Sequence, residues 1–349
     1  MPHYGVFVDP SEYRRNNFDF SGQRLSALIE VACKDWITFL QTDVSSSETK
    51  NLIQTHIEKA CNQLQRSDLS VLKPIDDARL NLIRNPPDPN ELATNLISKF
   101  EQHLDDGNCQ LLPVSDVDSA IVFEAYFKNE PPFDDTKKKA EFPDAFTLHR
   151  LVMWAAENET VVYVVGRDDD LKRVCDVCDQ LRHFEKIEAV LDHINEADEL
   201  VRRLHERSQA VIDQLERSVE DQFPDRLFIP LYNDHGEVEN ITVADVDIGE
   251  IYALEVGEGH VRAEAEAKVT YSADVSYEDF DTGFYDKETG RHYMTEFVNI
   301  GVENAESEIS ILFDFALDDD GNPIADDISI AEDTISVEEE DRGDYGMYK

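Results

Sequence analysis

The sequence predicts an α/β protein: a parallel sheet flanked by helices, then a helical linker and a β-rich antiparallel second domain. Three observations carry this. Tyr4 to Val8 and Val161 to Val165 are short, continuous apolar runs, the mark of strands buried on both faces. Between them apolar residues recur at helical spacing. After Phe223-Pro224 the period changes to two.

The first strand ends at Asp9-Pro10-Ser11, a stop and turn signal. Gln23 to Trp36 carries Leu25, Leu28, Ile29 and Ala32 on one helical stripe, and Ile37 to Leu40 follows as a second strand. A helix begins at Ser45-Ser46-Ser47-Glu48 and runs through Leu52, Ile53 and Ile57 toward Leu64. Residues from about 66 to 130 are expected to be a helical insert broken by Pro86, Pro87 and Pro89. Phe142-Pro143-Asp144-Ala145 opens a helix whose stripe is Leu148, Leu151, Val152 and Ala155. Val161 to Val165 runs straight into Gly166-Arg167-Asp168-Asp169-Asp170, and a helix through Val174 and Cys178 follows. Alternating strand and helix with apolar strands means a parallel sheet covered on both faces. Residues 196–223 present Leu200, Leu204, Val211, Leu215 and Val219 on one face and are expected as a linker helix. Long alternating strands then run through Val261 to Tyr277 and Ile309 to Leu317, in a domain placed at 224–335 before an acidic tail at 336–349.

Composition bounds the function. Across 349 residues, 76 acidic side chains outnumber 32 basic ones, for a formal charge of −44. Solubility requires nothing of that size. Either the surface is adapted to salt, which screens its self-repulsion, or it is a functional acidic face for a basic partner. Nucleic acid is repelled by such a surface except where basic residues collect. Arg14 and Arg15, with Arg24, near the first strand, and the Lys137-Lys138-Lys139 run, are the candidates for holding phosphate. Five cysteines, an odd number, argue for a reducing compartment rather than a disulfide framework. With no signal peptide or apolar run long enough to span a membrane, a cytoplasmic location is expected.

Four acids stand where a parallel sheet would gather its polar ends: Asp9, Glu48, Asp144 and Asp168. Converging carboxylates suit a hard cation, which takes oxygen ligands. A metal held there lowers the pKa of bound water and stabilises charge developing at phosphorus. Each residue also has an ordinary structural role available. Asp9 suits a turn, Asp144 an N-cap, Glu48 a first helical turn, and Asp168 lies in a run of three aspartates.

The order of these motifs resembles the PIN domain, a metal-dependent ribonuclease fold. The matching stretches are Gly5 to Ser11, Ser45 to Ile53, Lys137 to Phe146 and Val161 to Lys172. The resemblance implies metal ligation by Asp9, Glu48, Asp144 and Asp168, with Asp170 and Glu141 as supporting acids. It implies Mg²⁺ or Mn²⁺ as cofactor and RNA as substrate, with residues 1–195 as the nuclease domain. Three positions depart from the usual pattern: Pro10 after the first Asp, Gly166 where Ser or Thr opens the last motif, and Leu171 where an aromatic is common.

The expected function is therefore a metal-dependent endoribonuclease, of the kind used as a toxin or defence effector. A protein regulator or antitoxin and a homodimer are the partners left open. The alternative is a non-catalytic scaffold whose acidic surface and β-rich domain bind a protein.

Overall fold

The computed structural model describes residues 4–66, 87–133, 141–206, 208–231, 236–279, 283–286, 291–293, 296–318 and 320–338. The chain divides into two compact units, Met1–Ile194 and Asn195–Lys349.

The first unit is built on a five-stranded, all-parallel sheet in the order β3-β2-β1-β4-β5. Its strands are β1 (Tyr4–Val8), β2 (Ile37–Thr42), β3 (Gln110–Leu112), β4 (Val162–Val165) and β5 (Leu181–Phe184). The helices are α1 (Pro10–Arg15), α2 (Gln23–Cys33), α3 (Asp43–Arg66), α4 (Pro89–Asp106), α5 (Ser119–Lys128), α6 (Phe142–Glu157), α7 (Asp169–Cys175) and α8 (Ile187–Asn195). The alternation of each strand sends its side chains to two helical layers. Val162 and Val164 pack with Leu148, Leu151 and Trp154 of α6. Tyr163 points the other way, stacked on Tyr4 at 4.6 Å and edge-on to His193 of α8. Helix α6 lies close to the sheet because Gly5 has no side chain: a Cβ there would sit 2.7 Å from both Leu40 and Trp154.

In the second unit, β7 (Glu237–Val256), β8 (Val261–Asp279), β11 (Glu296–Leu317) and β12 (Pro323–Ile330) form an antiparallel sheet in the order β12-β11-β8-β7. Between β8 and β11, β9 (Phe284–Asp286) pairs with β10 (Arg291–Tyr293), and β6 (Leu227–Pro230) pairs in parallel with β13 (Thr334–Val337). The inward-facing residues of β8, from Val261 to Val275, share one core with Ile309, Ile311, Phe313 and Phe315 of β11.

Four expectations need correction. The stretch from 66 to 130 is not purely helical, since β3 lies within it and forms an edge of the parallel sheet. Three residues, two of them exposed, carry too little periodicity to be seen. Strand β5, with Arg182 and His183 in its middle, escaped for the same reason. The linker at 196–223 is two helices, α9 (Glu199–Glu206) and α10 (Ser208–Gln222), whose Val201, Leu204, Val211, Leu215 and Val219 belong to the second unit's core. The β-rich domain placed at 224–335 runs on to Val337, where β13 ends, because Ile335 and Val337 reach that same core. Residues 339–349 lie outside the described residues.

Candidate metal centre

Parallel strands end together, so the residues that follow them are neighbours in space. Val8 pairs with Val165, and the Asp9 backbone N–H donates to the Val165 carbonyl at 2.9 Å. Asp9 thus leaves β1 beside Gly166, which leaves β4. The approach is tight: a Cβ on Gly166 would lie 2.9 Å from the Asp9 Cβ and 2.9 Å from Leu171. This accounts for the missing Ser or Thr at 166, since a side chain there would push Asp9 aside.

A buried polar network brings α3 and α6 to the same end of the sheet. The Gln41 amide at the end of β2 donates to the Val8 carbonyl at 2.9 Å and to the Tyr13 hydroxyl at 3.0 Å. Its oxygen accepts from the Ser45 hydroxyl. The Thr42 hydroxyl lies 2.9 Å from Ser45 Oγ and 3.0 Å from Thr147 Oγ1. Buried polar groups left unpaired are costly, so this network holds the two helices in register. Ser45 stands one turn before Glu48, and Thr147 one turn after Asp144.

The charges show that the four acids are gathered. Burial and the charges of Asp9, Glu48, Glu141 and Asp168 push the Asp144 carboxyl up to about 7. Asp144 lies in the first turn of α6, where the helix dipole favours a carboxylate, so burial and like charge outweigh the dipole. Burial also raises Asp9, against its hydrogen bond from Ser11 and with a further push from Asp168. Glu48, exposed in the second turn of α3, is raised by partial desolvation and by Asp9. Among the described residues, however, no three His, Cys, Asp or Glu side chains converge closely enough to hold a metal ion.

Asp9 and Asp168 fill ordinary roles as well, whereas the N-cap expected of Asp144 falls to Glu141 because the helix begins at Phe142. Asp9 caps α1, accepting from the Ser11 N–H at 2.9 Å, and Asp168 caps α7, accepting from Asp170 at 2.8 Å. Each cap engages one carboxylate oxygen. Asp170 pairs with Arg173. Glu141 is buried at the N-cap position of α6, where its side chain makes no capping bond. Arg14 is exposed, and Arg15 lies 3.8 Å from Glu12. Lys138 and Lys139 lie outside the described residues. The donor set is all oxygen and self-repelling, which suits a hard divalent cation in kind. Its spacing is wider than a closed coordination shell.

Sequence patterning missed Glu12. It is 2% exposed, and burial lifts its carboxyl to about 7, partly offset by Arg15 and Arg167. The signal was its place three residues after Asp9, on the same face of a capped helix. Gln41, Thr42 and Thr147 were missed too. Polar residues closing an apolar strand were the clue for the first two.

A family model described as a PIN domain matches residues 6–171. No curated protein and no solved structure matches the chain.

Proposed function

Residues 6–171 are a PIN domain, and from that premise we propose that this protein is a metal-dependent endoribonuclease. PIN domains are in general nucleases and typically use divalent metal ions. The observation that carries the proposal is the gathering of Asp9, Glu48, Asp144 and Asp168 at the carboxyl end of one parallel sheet, close enough for three of them to perturb the fourth.

In this reading Asp9, Glu48, Asp144 and Asp168 hold Mg²⁺ or Mn²⁺, with Glu141 and Asp170 in support. When bound, the ion supplies a Lewis acid for the phosphate and a more acidic water. The chain's own residues do the rest. The cap bonds hold the carboxylates of Asp9 and Asp168 in place at the ends of their strands. The Thr42–Thr147 contact fixes where Asp144 and Glu48 stand. Arg14 and Arg15 hold the phosphate backbone at the mouth, with Lys138 and Lys139 assigned the same task. No side chain forms a covalent bond to the substrate.

The scaffold alternative draws on the open spacing of the acids and on the capping roles of Asp9 and Asp168. Cleavage of mixed single-stranded and structured RNAs with Mn²⁺, Mg²⁺ or EDTA, wild type beside Asp144→Asn, decides between them. Metal-dependent cutting that vanishes in the variant is expected. Absence of cutting under every condition, at low and high salt, would leave the scaffold. A basic protein partner bound without metal would then account for the acidic surface.

A further inference from the structure

Helix α5 leaves large rings in water. Its inward residues Val122 and Ala125 are buried with Phe133 and Ala145, yet Phe123 is 47% and Phe127 76% exposed. The two lie four residues apart, on one face of the helix. Neither ring is isolated. Phe123 is 5.5 Å from Phe142, and Tyr126 is 5.3 Å from Phe127 and 5.2 Å from Phe142, centroid to centroid. Phe142 opens α6, two residues before Asp144. A continuous file of rings therefore runs from the acid-bearing helix start to open surface. Leaving a phenylalanine uncovered forgoes roughly 1.5–3 kcal/mol of burial.

The net charge of −44 bears on what those rings can do. Most proteins gather nucleic acid by long-range attraction to phosphate, and here that attraction is reversed. Beyond the few basic contacts at Arg14 and Arg15, affinity must come from contacts that need no charge. Stacking of a base on an aromatic ring is such a contact, worth about 1–3 kcal/mol per base, and it requires the base to be unpaired. We propose that Phe123 and Phe127, continued inward by Tyr126 and Phe142, form a stacking platform for unpaired bases of single-stranded RNA beside the acidic cluster. The proposal rests on the nuclease reading and adds the surface on which the substrate's bases rest. The flat π surfaces of Phe123 and Phe127 suit a base, and their continuity through Tyr126 and Phe142 with the start of α6 puts that base beside the acids.

The test uses the full chain carrying Asp144→Asn, so that RNA is bound and not cut. Fluorescence anisotropy with labelled oligouridine, oligoadenosine and an RNA duplex is compared with and without Phe123→Leu and Phe127→Leu together. Single-strand binding is expected to weaken about tenfold or more, and duplex binding to stay as it was. In the cutting enzyme the same pair raises KM. Phe127→Trp is expected to hold or tighten single-strand binding. Should the double variant fold poorly, Phe127→Leu alone gives the same readout. Equal single-strand binding with and without the rings overturns the platform, as does Leu performing as well as Phe while Ala fails, which marks a protein-docking face. A wild type that neither binds nor cuts overturns it too. Ring-dependent binding without cutting under Mn²⁺ or Mg²⁺ keeps the platform and removes the nuclease; cutting with a ring-independent KM does the reverse.

Discussion

Burial and the surrounding acids lift Asp144 to about 7, which ties the cluster to stability in a way pH can read. Between about pH 4 and pH 7 the folded chain keeps a proton that the unfolded chain has released. Stability therefore falls as pH rises through that window. Asp144→Asn is expected to be more stable than wild type above pH 7 and equal to it below pH 4. The shift is worth at most about 4 kcal/mol, reduced by the partial exposure of the side chain. Thermal melts at pH 4 and pH 8 check it; a difference of equal size at both would show that the acids do not repel. At Gly166 the constraint is space, since a Cβ there meets Asp9 and Leu171 at 2.9 Å. Gly166→Ala is expected to cost about 1–3 kcal/mol and to lower cleavage by displacing Asp9. Urea melts with an RNA assay measure both effects, and an unchanged midpoint would show that the site relaxes freely. Asp9 and Asp168 were visible in the sequence as residues closing apolar strands. That both also cap helices was not read there, where a turn was offered for Asp9 and a cap only for Asp144, because turn, cap and ligand are served by the same side chain in the same place.

Among elements, the end of β2 does most to assemble the site. Gln41 satisfies the Val8 carbonyl, the Tyr13 hydroxyl and the Ser45 hydroxyl from one buried side chain. Gln41→Leu keeps the volume and strips all three, for an expected loss of about 2–3 kcal/mol in a denaturant melt. Loss of only a few tenths would mean that water replaces the amide. Strands β1, β2 and β4 were legible because a strand buried on both faces must be apolar throughout. Strands β3 and β5 were not, since a short strand with polar residues looks like a turn. The apolar stripe of α9 and α10 was equally plain, but a stripe does not say what covers it, and here it covers β7 and its neighbours.

For the whole molecule, the charge of −44 sets a self-repulsion that counterions relieve. If the surface is adapted to salt, the melting temperature is expected to rise markedly between dilute buffer and molar KCl. A flat response in a thermal melt would point to a functional acidic face instead. Few of the exposed ion pairs offset this repulsion, since pairs such as Lys128–Glu124 are worth little in water. Among the described residues no helix is long and apolar enough to cross a membrane.

The sequence by itself determined the fold class, the two kinds of sheet and the four acids at strand and helix ends. Those follow from local rules: what burial demands of a strand, which residues stop one, and which spacing makes a stripe. Only the tertiary structure decided which of these pieces meet. It seated the start of α6 against the aromatic face of α5, enclosed Glu12 next to Asp9, and lifted Asp144 by neighbours more than a hundred residues away in the chain, such as Asp9. Electrostatic repulsion and close packing act through space, and no spacing along the sequence encodes which distant residue will stand across the gap.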